Sequence, residues 1–183
     1  PAAKEEEIVA DDDMSELLDS IAVSEPVKET KGERKMDSTF SYNDEVEDEI
    51  RQMKEACGGK ILKVIVETCL LTEEEKMKMC ELVTNAGADF IKTSTGKITV
   101  NATPFATFVM CQAIKAWHEQ TGIKVCYKPA GGVATTDEAV QHYTLVKQIL
   151  GNDWLNNQSF RFGASRLANN LLSSIVGEEI KYF

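Results

Sequence analysis

Four short apolar runs, starting near residues 62, 88, 123 and 159, recur along residues 43–183 with helical periodicity before, between and after them. The intervals of 26, 35 and 36 residues leave room for one helix each. Such alternation is the pattern of a parallel sheet with helical crossovers, an α/β fold. Runs such as Leu62-Lys63-Val64-Ile65-Val66-Glu67 are β-branched and apolar on both faces. Helices are therefore expected on one side of the sheet, and a barrel interior or a second helix layer on the other.

Helix boundaries are marked along the same stretch. Asn43 is placed to cap a helix over Asp44 to Cys57, with Val46, Ile50, Met53 and Cys57 inward and Gly58-Gly59 at its end. Thr72 with Glu75 reads as a capping box, followed by an inward stripe of Met79, Leu82, Val83 and Ala86. Thr103-Pro104 opens a third helix that buries Val109, Ala113, Ile114 and Trp117 and stops at Gly122. Thr135 with Glu138 repeats the capping box, with Ala139, Tyr143, Val146 and Leu150 inward before Gly151. Strands are expected over Ala88 to Lys92, Ile123 to Lys128 and Ser159 to Phe162, and a last helix from about Ser165 to Val176.

Charge divides the chain. Residues 1–50 hold 17 acids and 5 bases, whereas residues 51–183 hold 13 acids and 15 bases. Residues 1–42, with Glu5-Glu6-Glu7 and Asp11-Asp12-Asp13, read as an acidic, flexible leader outside the domain at 43–183. Within the leader, Met14, Leu17, Leu18 and Ile21 have helical spacing that suits docking on a partner or on the domain. A net charge of −10 argues against nucleic acid as a partner. No run is long and apolar enough for a membrane span, so a cytoplasmic protein is expected. Cys57, Cys69, Cys80, Cys111 and Cys126 are odd in number and lie in apolar segments without a C-x-x-C pair, which suits reduced core residues.

Lys92 and Lys128 end two consecutive strands. In parallel α/β sheets the carboxyl ends of the strands form the active face. A single strand-end lysine is most simply a snorkelling surface charge, but a matched pair is not. Two ammonium groups about 5 Å apart at an effective dielectric near 20 repel by roughly 3 kcal/mol, a pKa depression of about two units before desolvation adds to it. One lysine is then substantially neutral near pH 7 to 8, as an amine nucleophile attacking a carbonyl must be. The loops that follow, Thr93-Ser94-Thr95-Gly96-Lys97, Pro129-Ala130-Gly131-Gly132 and Gly163-Ala164-Ser165, are small or glycine-rich and precede helices. Three such loops on one face favour a phosphorylated small molecule. His118 and His142 are expected on helices away from this face, exposed or half-packed, and no metal-ligand cluster is present. Glu67 is a candidate hydrogen-bond partner for a lysine or a substrate hydroxyl, and Trp117 and Trp154 read as packing residues.

The segments Ala88-Asp89-Phe90-Ile91-Lys92-Thr93-Ser94-Thr95-Gly96-Lys97, Val100-Asn101-Ala102-Thr103-Pro104, Lys128-Pro129-Ala130-Gly131-Gly132-Val133 and Phe160-Arg161-Phe162-Gly163-Ala164-Ser165 closely resemble deoxyribose-phosphate aldolases. The resemblance covers about residues 43–183. It implies a TIM-type (β/α)8 barrel and metal-free, cofactor-free class I chemistry. The implied reaction is reversible cleavage of 2-deoxy-D-ribose 5-phosphate to D-glyceraldehyde 3-phosphate and acetaldehyde, a step of deoxyribonucleotide catabolism. It further implies that Lys92 forms the Schiff base and that Lys128 lowers its pKa and assists proton transfer. Gly96, Lys97, Gly131, Gly132, Gly163, Ala164 and Ser165 then hold the phosphate.

The body is too short for a whole barrel, which needs about 250 residues. Only the last four βα units are expected, a half barrel whose missing strands normally supply an Asp to the proton relay. Asp37 is the one residue near a plausible place for it. A half barrel exposes sheet edges and an apolar interior, so a homo-oligomer, a complementing chain or residues 1–42 are expected to cover them. The alternatives are a non-catalytic half barrel that binds phosphate ligands or serves as a partner subunit, and a truncated, inactive aldolase fragment.

Overall fold

The computed structural model describes residues 39–182, with side chains from Asn43 onward. The leader helix at Met14 to Ile21 and the Asp37 assignment lie outside the described residues. The order is α1 (Thr39–Ala56), β1 (Lys63–Ile65), a 3-10 turn (Thr68–Leu70), α2 (Glu73–Asn85), β2 (Phe90–Lys92), α3 (Pro104–Thr121), β3 (Cys126–Lys128), α4 (Thr136–Leu150), a 3-10 turn (Asn152–Trp154) and α5 (Leu167–Val176).

The strands form one open parallel sheet in the order β1-β2-β3. The expected fourth strand, Ser159 to Phe162, is not a full ladder. That segment touches β3 through one isolated parallel bridge, Tyr127 with Phe160, and a second, Ala130 with Gly163, joins the loops just beyond them. It still runs where a fourth strand belongs: Tyr127 donates its N–H to Ser159 O at 3.0 Å and Arg161 donates to Tyr127 O at 3.2 Å. The three strands are also shorter than their apolar runs: β1 stops before Val66, β2 begins after Asp89 and β3 begins after Val125.

Both capping boxes are present: Thr72 with Glu75 opens α2, and Thr135 with Glu138 opens α4. Thr103 accepts from Ala106 N at the start of α3, and Gly122 ends that helix in the left-handed region. α1 starts at Thr39, so Asn43 lies one turn inside the helix and is not its cap. α5 begins at Leu167 with no side-chain cap. Met53 of α1 and Tyr143 of α4, expected inward, are exposed.

The alternation of β side chains sorts the sheet into two faces. Ile91 and Tyr127 join Val83, Met110, Cys111, Ile114 and Val146 in the main apolar core, so this face is covered by the helices. Phe90 and Cys126 point the other way, together with Lys92 and Lys128. On that face the Lys63 ammonium lies 4.1 Å from the centroid of the Phe90 ring, a cation–π contact. Lys54 of α1 pairs with Asp89, which also accepts from Leu62 N at 2.7 Å, so one carboxylate ties α1 to the amino ends of β1 and β2.

All five cysteines are free; Cys80 and Cys111 are buried, and Cys57, Cys69 and Cys126 are partly exposed. Among the described residues no helix is long and apolar enough to cross a membrane.

Candidate active site

The parallel register of β2 and β3 sets Phe90 against Cys126, Ile91 against Tyr127 and Lys92 against Lys128. The two lysines thus stand side by side at the carboxyl ends of neighbouring strands, both partly buried. Burial is the largest force pushing the Lys128 pKa down, and the positive charges of Lys92, Lys63 and Arg161 push it the same way in that order. The pairwise repulsion anticipated from sequence acts on Lys128, but it is second to desolvation and joined by two cations, Lys63 and Arg161, that sequence reasoning passed over. Arg161 follows Phe160, the bridge partner of Tyr127, and so neighbours Lys128 from the strand-like segment on its far side.

Backbone bonds bring the three small-residue loops together. The Thr93 hydroxyl accepts from Ala130 N at 2.9 Å and lies 3.2 Å from Ala130 O, while Thr93 N donates to Lys128 O at 3.2 Å. Gly131 N donates to Gly163 O at 3.1 Å, and Gly163 N donates to Pro129 O at 2.8 Å. Ala102 N donates to Gly131 O at 3.2 Å, which fixes the segment ahead of α3 against the same loop.

Two glycines show why this stitching needs them. A Cβ on Gly131, whose φ is +82°, would lie 2.7 Å from Asn101 side-chain atoms. One on Gly163 would lie 2.5 Å from the Ala130 Cβ and 3.1 Å from the Lys128 Cε. The close approach of residues 130 and 163, with Lys128 between strand and loop, depends on their small size.

The result is a cleft of about 550 Å³ lined by Lys92, Thr95, Gly96, residues 130–134 and residues 163–166. Of the residues singled out from sequence, Lys92, Gly96, Gly131, Gly132, Gly163, Ala164 and Ser165 line this cleft. Lys128 is not among the lining residues, and its Cε sits beside Gly163, which is. Lys97 is also outside the lining; its backbone N–H donates to the Thr95 hydroxyl at 3.3 Å and the residue is exposed. Sequence reasoning missed Thr93, Thr95 and Arg166. Thr93 and Thr95 stood in plain view within the Thr-Ser-Thr-Gly-Lys loop, but their side-chain bonds depend on contacts with distant segments.

Glu67 bonds neither lysine. Its carboxylate accepts from Thr95 N and from the Thr95 hydroxyl, across the mouths of β1 and β2. His142 also departs from expectation. It is buried at 2% exposure, and its Nδ1 lies 2.6 Å from the Thr107 hydroxyl, which lies 2.8 Å from the buried Tyr127 hydroxyl. Burial drives its pKa down to about 4. His118 is half-packed, edge-on to Trp154 with ring centroids 5.0 Å apart. Trp154 is buried and donates to Val125 O at 2.9 Å, and Trp117 packs partly buried against the core. Among the described residues no group of three or more His, Cys, Asp or Glu is arranged to hold a metal ion.

Residues 36–166 match the family model described as DeoC/LacD family aldolase. Over 131 residues the chain is 50% identical to a Caenorhabditis elegans protein named "Putative deoxyribose-phosphate aldolase", covering 71% of this chain and 43% of that protein. The apo structure of a Toxoplasma gondii ME49 protein of the same description aligns with a TM-score of 0.69 at 19% identity, over 77% of this chain and 56% of the other. A tetrameric deoxyribose phosphate aldolase from Aeropyrum pernix aligns with a TM-score of 0.57 at 24% identity, over 73% of this chain and 50% of the other. These two likenesses are in fold. The chain spans about half the length of the relatives it matches. The family pattern therefore runs through the three strands, their crossover helices and the loops of the cleft, and the chain belongs to the DeoC/LacD family of aldolases.

Proposed function

We propose that this chain carries the chemistry of a deoxyribose-phosphate aldolase, reversibly cleaving 2-deoxy-D-ribose 5-phosphate to D-glyceraldehyde 3-phosphate and acetaldehyde. The observation that carries the reading is the Lys92–Lys128 register pair beside a cleft walled by three small-residue loops.

In this reading the Lys92 amine attacks the C1 aldehyde of the open-chain sugar, and loss of water gives a protonated imine. The imine withdraws the electron pair of the C2–C3 bond as the C3 hydroxyl gives up its proton. Glyceraldehyde 3-phosphate leaves, and a two-carbon enamine remains on Lys92. Protonation at C2 and hydrolysis then release acetaldehyde and regenerate the amine. Lys128, whose proton is held more loosely than an ordinary lysine's, is the proposed proton carrier.

Gly96, Lys97, Gly131, Gly132, Gly163, Ala164 and Ser165 are the proposed phosphate-holding residues, with Lys97 contributing through its place in the loop. The edge of β1, unpaired among the described residues, and the half-length match support an oligomer or a complementing chain as the source of further strands.

Borohydride reduction in the presence of 2-deoxyribose 5-phosphate, followed by peptide mass analysis, tests the reading. A stable adduct on Lys92, absent in Lys92→Ala, is expected. Labelling of another lysine, or none, overturns it.

A further inference from the structure

We propose that Glu67 is a positioning residue that clasps the loop after β2 in the shape that receives the substrate's phosphate, a role that rests on the aldolase reading above. Glu67 is the one non-glycine residue with positive φ among the described residues, at φ 50° and ψ 63°. A glutamate gains nothing intrinsic from the left-handed region, and such a conformation persists where surrounding contacts hold it.

Those contacts converge on the cleft. The carboxylate accepts from Thr95 N at 3.2 and 3.3 Å and from the Thr95 hydroxyl at 2.5 Å. The same hydroxyl accepts from Lys97 N at 3.3 Å, so a single side chain fixes residues 95 and 97 on either side of Gly96. Backbone bonds bracket the clasp: Val66 N donates to Lys92 O at 3.1 Å and Thr68 N donates to Thr93 O at 2.9 Å. The left-handed turn at residue 67 lies between these two rungs. A carboxylate would repel a phosphate if it faced one. Glu67 acts instead through Thr95, and its charge strengthens the bonds that shape the loop. Thr95 and Gly96 both line the cleft beside Lys92.

Glu67→Gly separates this role from a structural one, because glycine suits the positive φ while the clasp is lost. The expected result is an unchanged or higher melting temperature and amide exchange in residues 94–97 at least about tenfold faster. KM for 2-deoxyribose 5-phosphate is expected to rise about tenfold, with kcat within about twofold, the loss of one charge-assisted contact pair. Glu67→Gln, which keeps an acceptor, is expected to recover part of the KM. An unchanged KM in Glu67→Gly, or a fall in kcat alone, overturns the proposal. A wild-type chain without turnover overturns the aldolase reading, and inorganic phosphate then becomes the probe. Phosphate must slow exchange of this loop in the wild type and do so about tenfold more weakly in Glu67→Gly; equal protection overturns the clasp, and no protection in the wild type overturns both.

Discussion

Lys92 and Lys128 are register partners across β2 and β3, and the Lys128 Cε sits beside Gly163 of the cleft wall. Lys92 lines the cleft and Lys128 is not among its lining residues, so the two amines stand in different surroundings although their strands hold them side by side.

This division of labour predicts different phenotypes. Lys92→Ala abolishes both turnover and the borohydride adduct. Lys128→Met preserves an adduct on Lys92 but slows turnover by about 10²- to 10⁴-fold, the usual contribution of a positioned proton carrier. Single-turnover kinetics together with mass analysis of the trapped peptide distinguish the two.

Lys128 also has a stability signature. Its pKa in the folded chain lies below 10.5, so the unfolded chain binds that proton more tightly. Below the folded pKa the charge is a standing cost to the fold. The cost is relieved as pH rises through the window between the folded value and 10.5. Lys128→Met is expected to be more stable than the wild type at pH 7, with the advantage fading toward pH 10.5 in denaturant titrations.

His142 predicts the acid side. Its pKa falls from 6.5 to about 4 on folding, with burial as the main cause and Glu138 opposing it. Above pH 6.5 the residue is neutral in both states and its contribution is intact. As pH falls from 6.5 to about 4 the unfolded chain takes up the proton first, so about 3 kcal/mol of stability is lost, levelling off below pH 4. His142→Gln should flatten this part of the pH–stability curve measured by urea unfolding; an unchanged slope contradicts the assignment.

Gly163→Ala tests the loop stitching. The added methyl would meet the Ala130 Cβ at 2.5 Å and press on the Lys128 Cε at 3.1 Å. A loss of about 1–3 kcal/mol is expected from overpacking. Turnover should fall further than stability explains, because the displaced atoms belong to Lys128 and to a cleft wall. Gly58→Ala, at a positive φ with nothing within 4 Å of the added atom, is the control that strains the backbone without touching the site.

The start of helix α4 offers a measure of local energetics at the edge of the cleft, where Glu138 still holds the lining residue Ala134 by its N–H at 2.8 Å. Thr135→Ala removes the acceptor for Glu138 N and is expected to cost about 1 kcal/mol with kcat unchanged. Calorimetry beside steady-state kinetics checks it.

Much of this was legible from residue order because the deciding signals are local. Thr72-Glu75 and Thr135-Glu138 satisfy their own backbone donors, so spacing alone locates α2 and α4. The lysine pair was legible for a related reason: each residue ends its apolar run, and parallel strands of similar offset bring equivalent ends together. His142 was misread because polarity was weighed above position. Residues 142 and 143 both fall three or four places from Ala139 and Val146, and the helix phase turns His142 inward and Tyr143 outward. The buried Thr107 hydroxyl that makes this tolerable belongs to another helix, and no spacing rule connects them. Ser159 to Phe162 has a strand's composition, but pairing depends on the path of the neighbouring backbone, and here it settles into one isolated bridge. The left-handed Glu67 carries no compositional mark at all, since the residue it bonds, Thr95, lies on the next strand's loop.

The bonds that tie Thr93 to Ala130 and Gly131 to Gly163 lie wholly within residues 67–166, as does the clasp from Glu67 to Thr95. The cleft is thus encoded in one uninterrupted stretch of about a hundred codons. Strand β1 belongs to the same unit, since Ile65 is the register partner of Lys92 and Val66 N donates to Lys92 O at 3.1 Å, so the geometry around Lys92 is inherited whole only when residues 63–166 travel together.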